Sequence, residues 1–69
     1  MKIIINGEEE TIEKESLTIN ELLTHKNVDM PEMVTVEYNG EMLDREKFES
    51  QAVKEGDKIE FLYFMGGGN

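Results

Sequence analysis

Two Asn-Gly pairs, Asn6-Gly7 and Asn39-Gly40, stand on either side of a single capped helical segment, and this arrangement leaves the chain few possible folds. Asn-Gly accepts the positive φ angles that a tight hairpin turn demands. Before the first pair, Lys2 to Asn6 is apolar and β-branched and reads as a strand. After it, Glu8-Glu9-Glu10 reads as a solvated turn, and Glu10-Thr11-Ile12-Glu13-Lys14 as a mostly polar strand with Ile12 pointing inward. The helix start is marked by Thr18 and, three residues on, Glu21, the spacing of a capping box; Leu17 and Leu22 fit a hydrophobic staple. Ile19, Leu22 and Leu23 form its buried stripe. His25 and Lys26 fall in the last turn, where positive charge suits the helix dipole. Asn27 suits the left-handed position after the helix, and Pro31 bars continuation.

Met33 to Tyr38 alternates, with Val34 and Val36 on one face and Thr35 and Glu37 on the other. Asn39-Gly40 leads into a short segment at Met42-Leu43, after which Asp44 is placed to cap a helical turn holding Arg45 and Phe48. Glu55-Gly56-Asp57 is a further turn, and Lys58 to Phe64 reads as the last strand. The order β-β-α-β-β-β predicts an α+β fold, a mixed sheet of four to five strands around one helix: the β-grasp, or ubiquitin-like, architecture. In such a sheet the first and last strands lie side by side and parallel. Ile3, Ile5, Ile59 and Phe61 are then expected to face the helix, with Ile4, Leu62 and Phe64 together on the open face. That group reads either as a docking patch or as ordinary exposure. The expected domain is 1–64, with a tail at 65–69.

A chain of 69 residues makes one domain, and with no cysteine it has no disulfide or thiolate cluster to supplement a small core. Sixteen acidic residues against seven basic give a net charge of −9, which repels phosphate backbones and argues against nucleic acid as a partner. The acidity fits solubility, or steering toward a basic surface on a partner. Disorder is a poor fit, because 38% hydrophobic residues fall in regular patterns. Met1-Lys2-Ile3-Ile4-Ile5 is too short for a signal peptide or membrane span, so the expected location is the cytoplasm, with no membrane partner.

Catalytic constellations are missing. His25 is the only histidine, and without cysteine or a second histidine there is no transition-metal set; the acidic residues show no calcium-loop spacing. Ser16 has no companion to activate it. Gly66-Gly67-Gly68 follows a strand but precedes no helix, so it is not a phosphate loop. It does make a side-chain-free extension suited to carrying a carboxylate into a narrow site, since glycine has no Cβ to clash and adopts whatever backbone angles a channel imposes. A frayed end is the other reading of such a run.

The pattern Val36-Glu37-Tyr38-Asn39-Gly40-Glu41, then Arg45-Glu46 with Phe48, Val53, Gly56-Asp57-Lys58-Ile59-Glu60-Phe61 and Phe64-Met65-Gly66-Gly67-Gly68, resembles the ThiS sulfur carriers of thiamine biosynthesis, within the wider ThiS/MoaD ubiquitin-like family. The resemblance covers essentially the whole chain. It implies a protein co-substrate rather than an enzyme. An E1-like adenylating enzyme, using ATP and Mg²⁺, would activate the carboxylate of Gly68, with no cofactor bound to the carrier itself. Sulfur relayed from a cysteine desulfurase would convert it to a thiocarboxylate, and thiazole synthase would receive the sulfur. Gly66 and Gly67, with Gly68, would thread the partner's channel, and Ile4, Leu62, Phe64 and Met65 would dock. Asn69 departs from the pattern, since this chemistry needs glycine at the terminus; Asn69 is either removed by proteolysis, an added residue, or the mark of a carrier that has lost the activity. A molybdopterin-type carrier, and a ubiquitin-like binding or conjugating module, are the alternative readings.

Overall fold

The computed structural model describes residues 1–63, so the expected domain boundary at 64 and the tail lie outside the described residues. Lys2–Ile5 (β1) and Glu8–Thr11 (β2) form an antiparallel hairpin, closed by Asn6 and Gly7 at φ 52° and 85°. The second strand therefore starts at Glu8, two residues earlier than the sequence pattern suggested. A two-residue turn puts Glu8 directly opposite Ile5, and Ile12, though buried, falls just past the strand. Glu8-Glu9-Glu10 is thus an edge strand rather than a turn, and charge on an edge discourages pairing with another chain.

Thr18 caps the helix Ile19–His25 (α1): its hydroxyl accepts from the Glu21 N–H at 3.1 Å, and the Glu21 carboxylate accepts from the Thr18 N–H at 2.8 Å. At the other end Asn27, at φ 55°, donates to the Thr24 carbonyl, and Val28 donates to Leu23. These are the two bonds of a Schellman motif. The helix thus ends at its own left-handed cap, well before Pro31, which instead opens a 3₁₀ turn, Pro31–Met33. Lys26 reaches past the helix end to Glu10 at 2.6 Å and ties the helix to the edge strand.

Val34–Tyr38 (β4), Glu41–Leu43 (β5) and Lys58–Tyr63 (β7) complete a five-stranded sheet of order β2-β1-β7-β4-β5. A second pair, Leu17–Thr18 (β3) with Ala52–Val53 (β6), was not visible in the sequence; each strand is two residues long and shows no alternation. The β1–β7 pairing is parallel and the others antiparallel, as the β-grasp reading required. Ile3, Ile5, Ile59 and Phe61 face the helix, packing with Ile19, Leu22, Leu23, Val34, Val36, Phe48 and Val53 in one core. Asp44 precedes a 3₁₀ turn at Arg45–Lys47, but its carboxylate makes no capping bond. Arg45 fixes this segment instead: its guanidinium donates to the carbonyls of Pro31 (3.0 Å) and Val34 (2.6 Å) and lies 5.2 Å from the Phe48 ring centroid.

A polar knot fastens the start of β7. The Asp57 carboxylate accepts from the Tyr38 hydroxyl, from the Lys54 N–H at 2.8 Å and from the Asn39 amide at 3.3 Å. Asn39 in turn accepts from the Lys58 N–H at 2.8 Å and donates to the Lys58 carbonyl at 2.7 Å. Burial favours the neutral forms, pushing Tyr38 up to about 12, with the bond to Asp57 adding to the rise. For Asp57 burial also pushes upward, but the Tyr38, Lys54 and Asn39 donors outweigh it and leave the carboxyl below its ordinary value.

Thr18→Ala removes one half of the capping box and lowers the unfolding free energy by about 1 kcal/mol. A lower urea midpoint with unchanged slope checks this. Asp57→Asn costs on the order of 1–2 kcal/mol at neutral pH, through loss of charge-assisted bonds. Because folding lowers this pKa, the contribution is complete above the unfolded carboxylate value and is lost as pH falls through the folded one. The gap in stability between the wild type and Asp57→Asn therefore closes below about pH 4, as measured by denaturation across pH.

Candidate functional site

The C-terminal segment continues from the central strand of the sheet. β7 has β1 on one side and β4 on the other, and both neighbours are bonded to it near its start. Ile4 donates to the Asp57 carbonyl and Asn6 to the Ile59 carbonyl, each at 2.9 Å. One step further, the Asn6 side chain accepts from the Phe61 N–H at 2.8 Å. Asn6 thus serves twice, forming the hairpin turn and replacing the strand partner that β1 no longer supplies. The sequence marked Asn6 only as a turn former; its reach across 55 positions depends on the parallel pairing. On the far side β4 stays paired with β7 as far as Val34 opposite Tyr63.

Ile4 and Leu62 share the face of the sheet away from the helix, both half-buried. They do not form one patch. Ile4 is level with Lys58, so Leu62 lies four positions further along β7, about 13 Å at the usual rise per residue. Lys58 stands beside Ile4, and Glu60 lies between them and Leu62 on the same face. Residues four apart on one strand share a face by alternation alone; only the register shows how far each is from its neighbours on the next strand. Phe64 and Met65, the other expected docking residues, and Gly66, Gly67 and Gly68 lie outside the described residues.

Leu62 faces Thr35 across the β4 pairing, and Glu60 faces Glu37, with Met42 next across the sheet from Glu37. Like charges directly opposed on one face of a sheet are unfavourable. This row of Glu60, Glu37 and Met42, beside Leu62, places carboxylates and apolar side chains where a cationic, partly apolar surface would complement them.

The motif residues divide by role once placed. Tyr38, Asn39, Asp57 and Lys58 belong to the knot at the start of β7, and Arg45 is bonded to two backbone carbonyls. Gly40 and Gly56 stand at φ 88° and 85°, in turns where a side chain would be strained. These residues build the platform from which β7 runs. His25 is exposed at the helix end. No group of three or more His, Cys, Asp or Glu residues placed to hold a metal ion occurs among the described residues, and none of their helices is long and apolar enough to cross a membrane.

The model of the ThiS family matches residues 2–68. A crystal structure of the thiamine biosynthesis protein (ThiS) from Geobacter metallireducens is 52% identical, with a TM-score of 0.91 over 99% of this chain and 100% of that one. The solution structure of a thiamine biosynthesis protein from the same organism is 51% identical, with a TM-score of 0.83 over 100% of this chain and 90% of that one. A protein of Paramagnetospirillum magneticum named thiazole synthase is 41% identical over all 69 residues, and the chain spans 21% of that protein's length. With the β-grasp sheet, the central position of β7 and a match that runs from the first strand to Gly68, the chain belongs to the ThiS family.

Proposed function

We propose that this protein is a sulfur carrier of thiamine biosynthesis, acting as a co-substrate through the carboxylate of Gly68. The observation that carries this reading is the glycine run placed directly after the central strand of a ThiS-family sheet. A carboxylate is a poor electrophile. Attack of its oxygen on the α-phosphate of ATP, at an E1-like enzyme supplying Mg²⁺, releases pyrophosphate and leaves an acyl adenylate. A persulfide relayed from a cysteine desulfurase then displaces AMP to give an acyl disulfide. A thiol cleaves its S–S bond, ending in a new disulfide, and the thiocarboxylate so released gives its sulfur to thiazole synthase. The likeness to a protein named thiazole synthase, which contains a 41% identical segment matching the whole chain, supports this choice of acceptor.

In this scheme the carrier supplies an end and a surface. Gly66 and Gly67 pass through a narrow channel because they have no Cβ. Ile4, Leu62, Phe64 and Met65 are the docking residues carried over from the sequence, with Leu62 beside the Glu37–Glu60 pair offering the better-defined contact. Asn69 must be removed first, since a peptide bond at Gly68 leaves no carboxylate to activate.

Intact-protein mass spectrometry tests the reading. Cell-derived protein, incubated with ATP, an E1-like enzyme and a sulfur donor, is expected to yield a species ending at Gly68 with one oxygen replaced by sulfur. Persistent full-length protein with neither adenylate nor thiocarboxylate refutes it. Gly68→Ala is expected to impair loading and leave the melting transition unchanged. Glu60→Gln separates surface from fold: removing the opposed charge raises stability by about 0.2–1 kcal/mol while slowing loading.

A further inference from the structure

Both Asn-Gly turns lie beside the last strand, and each sends a side-chain oxygen to it. Asn39, in the turn between β4 and β5, accepts from the Lys58 N–H at 2.8 Å. Asn6, in the turn between β1 and β2, accepts from the Phe61 N–H at 2.8 Å. Backbone groups of successive strand residues point to opposite sides, so Lys58 is held from the β4 side and Phe61 from the β1 side. The two bonds differ in what surrounds them. At Lys58 the Asn39 main chain also donates to the Lys58 carbonyl at 2.7 Å, and the Asp57 knot adjoins. At Phe61 the Asn6 side chain has no such support. The β1–β7 register ends with Ile5 opposite Ile59, and the chain then turns away through Gly7.

A continued parallel ladder would take the Phe61 N–H to the main-chain carbonyl of Asn6, since Asn6 itself donates to Ile59. Asn6 is instead left-handed, at φ 52°, and its backbone enters the hairpin. Its side-chain oxygen takes the place of that carbonyl. The turn alone does not call for this side chain, because glycine and aspartate also suit a tight turn with positive φ. Glycine, however, carries no acceptor. The bond to Phe61 is therefore a requirement separate from the turn, and it is the last hold on β7 from the β1 side among the described residues.

We propose that Asn6 is a positioning residue for delivery of the Gly68 carboxylate to the activating enzyme. The proposal rests on the carrier reading above. Held at Phe61 by Asn6 and along its other side by β4, β7 is kept in the plane of the sheet up to the point where it leaves. Without the Asn6 oxygen, β7 beyond Ile59 is bonded on the β4 side alone, and its end swings about that edge. The open face of the sheet still docks as before, but the carboxylate then approaches ATP over a wider range of directions. Alignment lost after docking lowers turnover rather than affinity. Asn6 acts through the strand and not on the reacting atoms.

The test is ATP–pyrophosphate exchange with the E1-like enzyme, run over a range of carrier concentrations with chains processed to end at Gly68. Asn6→Gly is at home at a positive φ and keeps the turn. It is expected to lower kcat about tenfold while KM stays within about twofold of the wild type. Asn6→Asp keeps both the turn and an acceptor, and is expected to hold kcat within about twofold of the wild type. Amide hydrogen exchange at Phe61 is expected to quicken in Asn6→Gly and not in Asn6→Asp. Asn39→Gly removes the matching bond at Lys58 and controls for lost stability: it lowers the melting temperature and leaves kcat unchanged. An Asn6→Gly carrier with wild-type kcat, or an Asn6→Asp carrier as slow as Asn6→Gly, overturns the proposal alone. Wild-type protein that supports no exchange overturns it together with the carrier reading.

Discussion

The position of β7 between β1 and β4 is the constraint from which the rest of the structure follows. A last strand at a sheet edge would be bonded on one side and free to fray. Here it is gripped at its start by the Asp57 knot, by Ile4 and by Asn6, and it stays paired with β4 through to Val34. The helix packs across the same strand, burying Ile59 and Phe61. The segment beyond Tyr63 therefore departs from the firmest part of the molecule.

The same constraint explains why the residues that carry the resemblance in the sequence are mostly structural. Tyr38, Asn39, Asp57 and Lys58 join the β4–β5 turn to the turn before β7, and Gly40 and Gly56 permit those turns. Arg45 has no carboxylate partner among the described residues and instead satisfies two backbone carbonyls that the loop before β4 would otherwise leave open. Conservative exchange to lysine would not reproduce this, since a single ammonium lacks the planar fork.

Acidity has different meanings at different places. On β2 it protects an edge. In Glu10 it anchors the helix end through Lys26. At Glu37 and Glu60 it is unfavourable within the isolated fold. A net charge of −9 could not distinguish these roles, because a sum over the chain carries no positions.

The sequence by itself determined the elements whose cause is local. Thr18 with Glu21, the left-handed Asn27, both Asn-Gly turns and the alternation of β4 and β7 are settled by neighbours a few positions away, and they were enough to reach the β-grasp fold. The inward set Ile3, Ile5, Ile59 and Phe61 followed from period-two alternation. Only the tertiary structure decided what depends on register and on partners distant in the chain. It shifted β2 to begin at Glu8, added the short β3–β6 pair, and separated Ile4 from Leu62 along a face they share. It gave Asn6 its bond to Phe61, Arg45 its two carbonyls and Glu60 its unfavourable neighbour Glu37. Local sequence fixes dihedral angles and facing, whereas distance across a sheet is set by which strand lies beside which, and that is decided when the whole core packs.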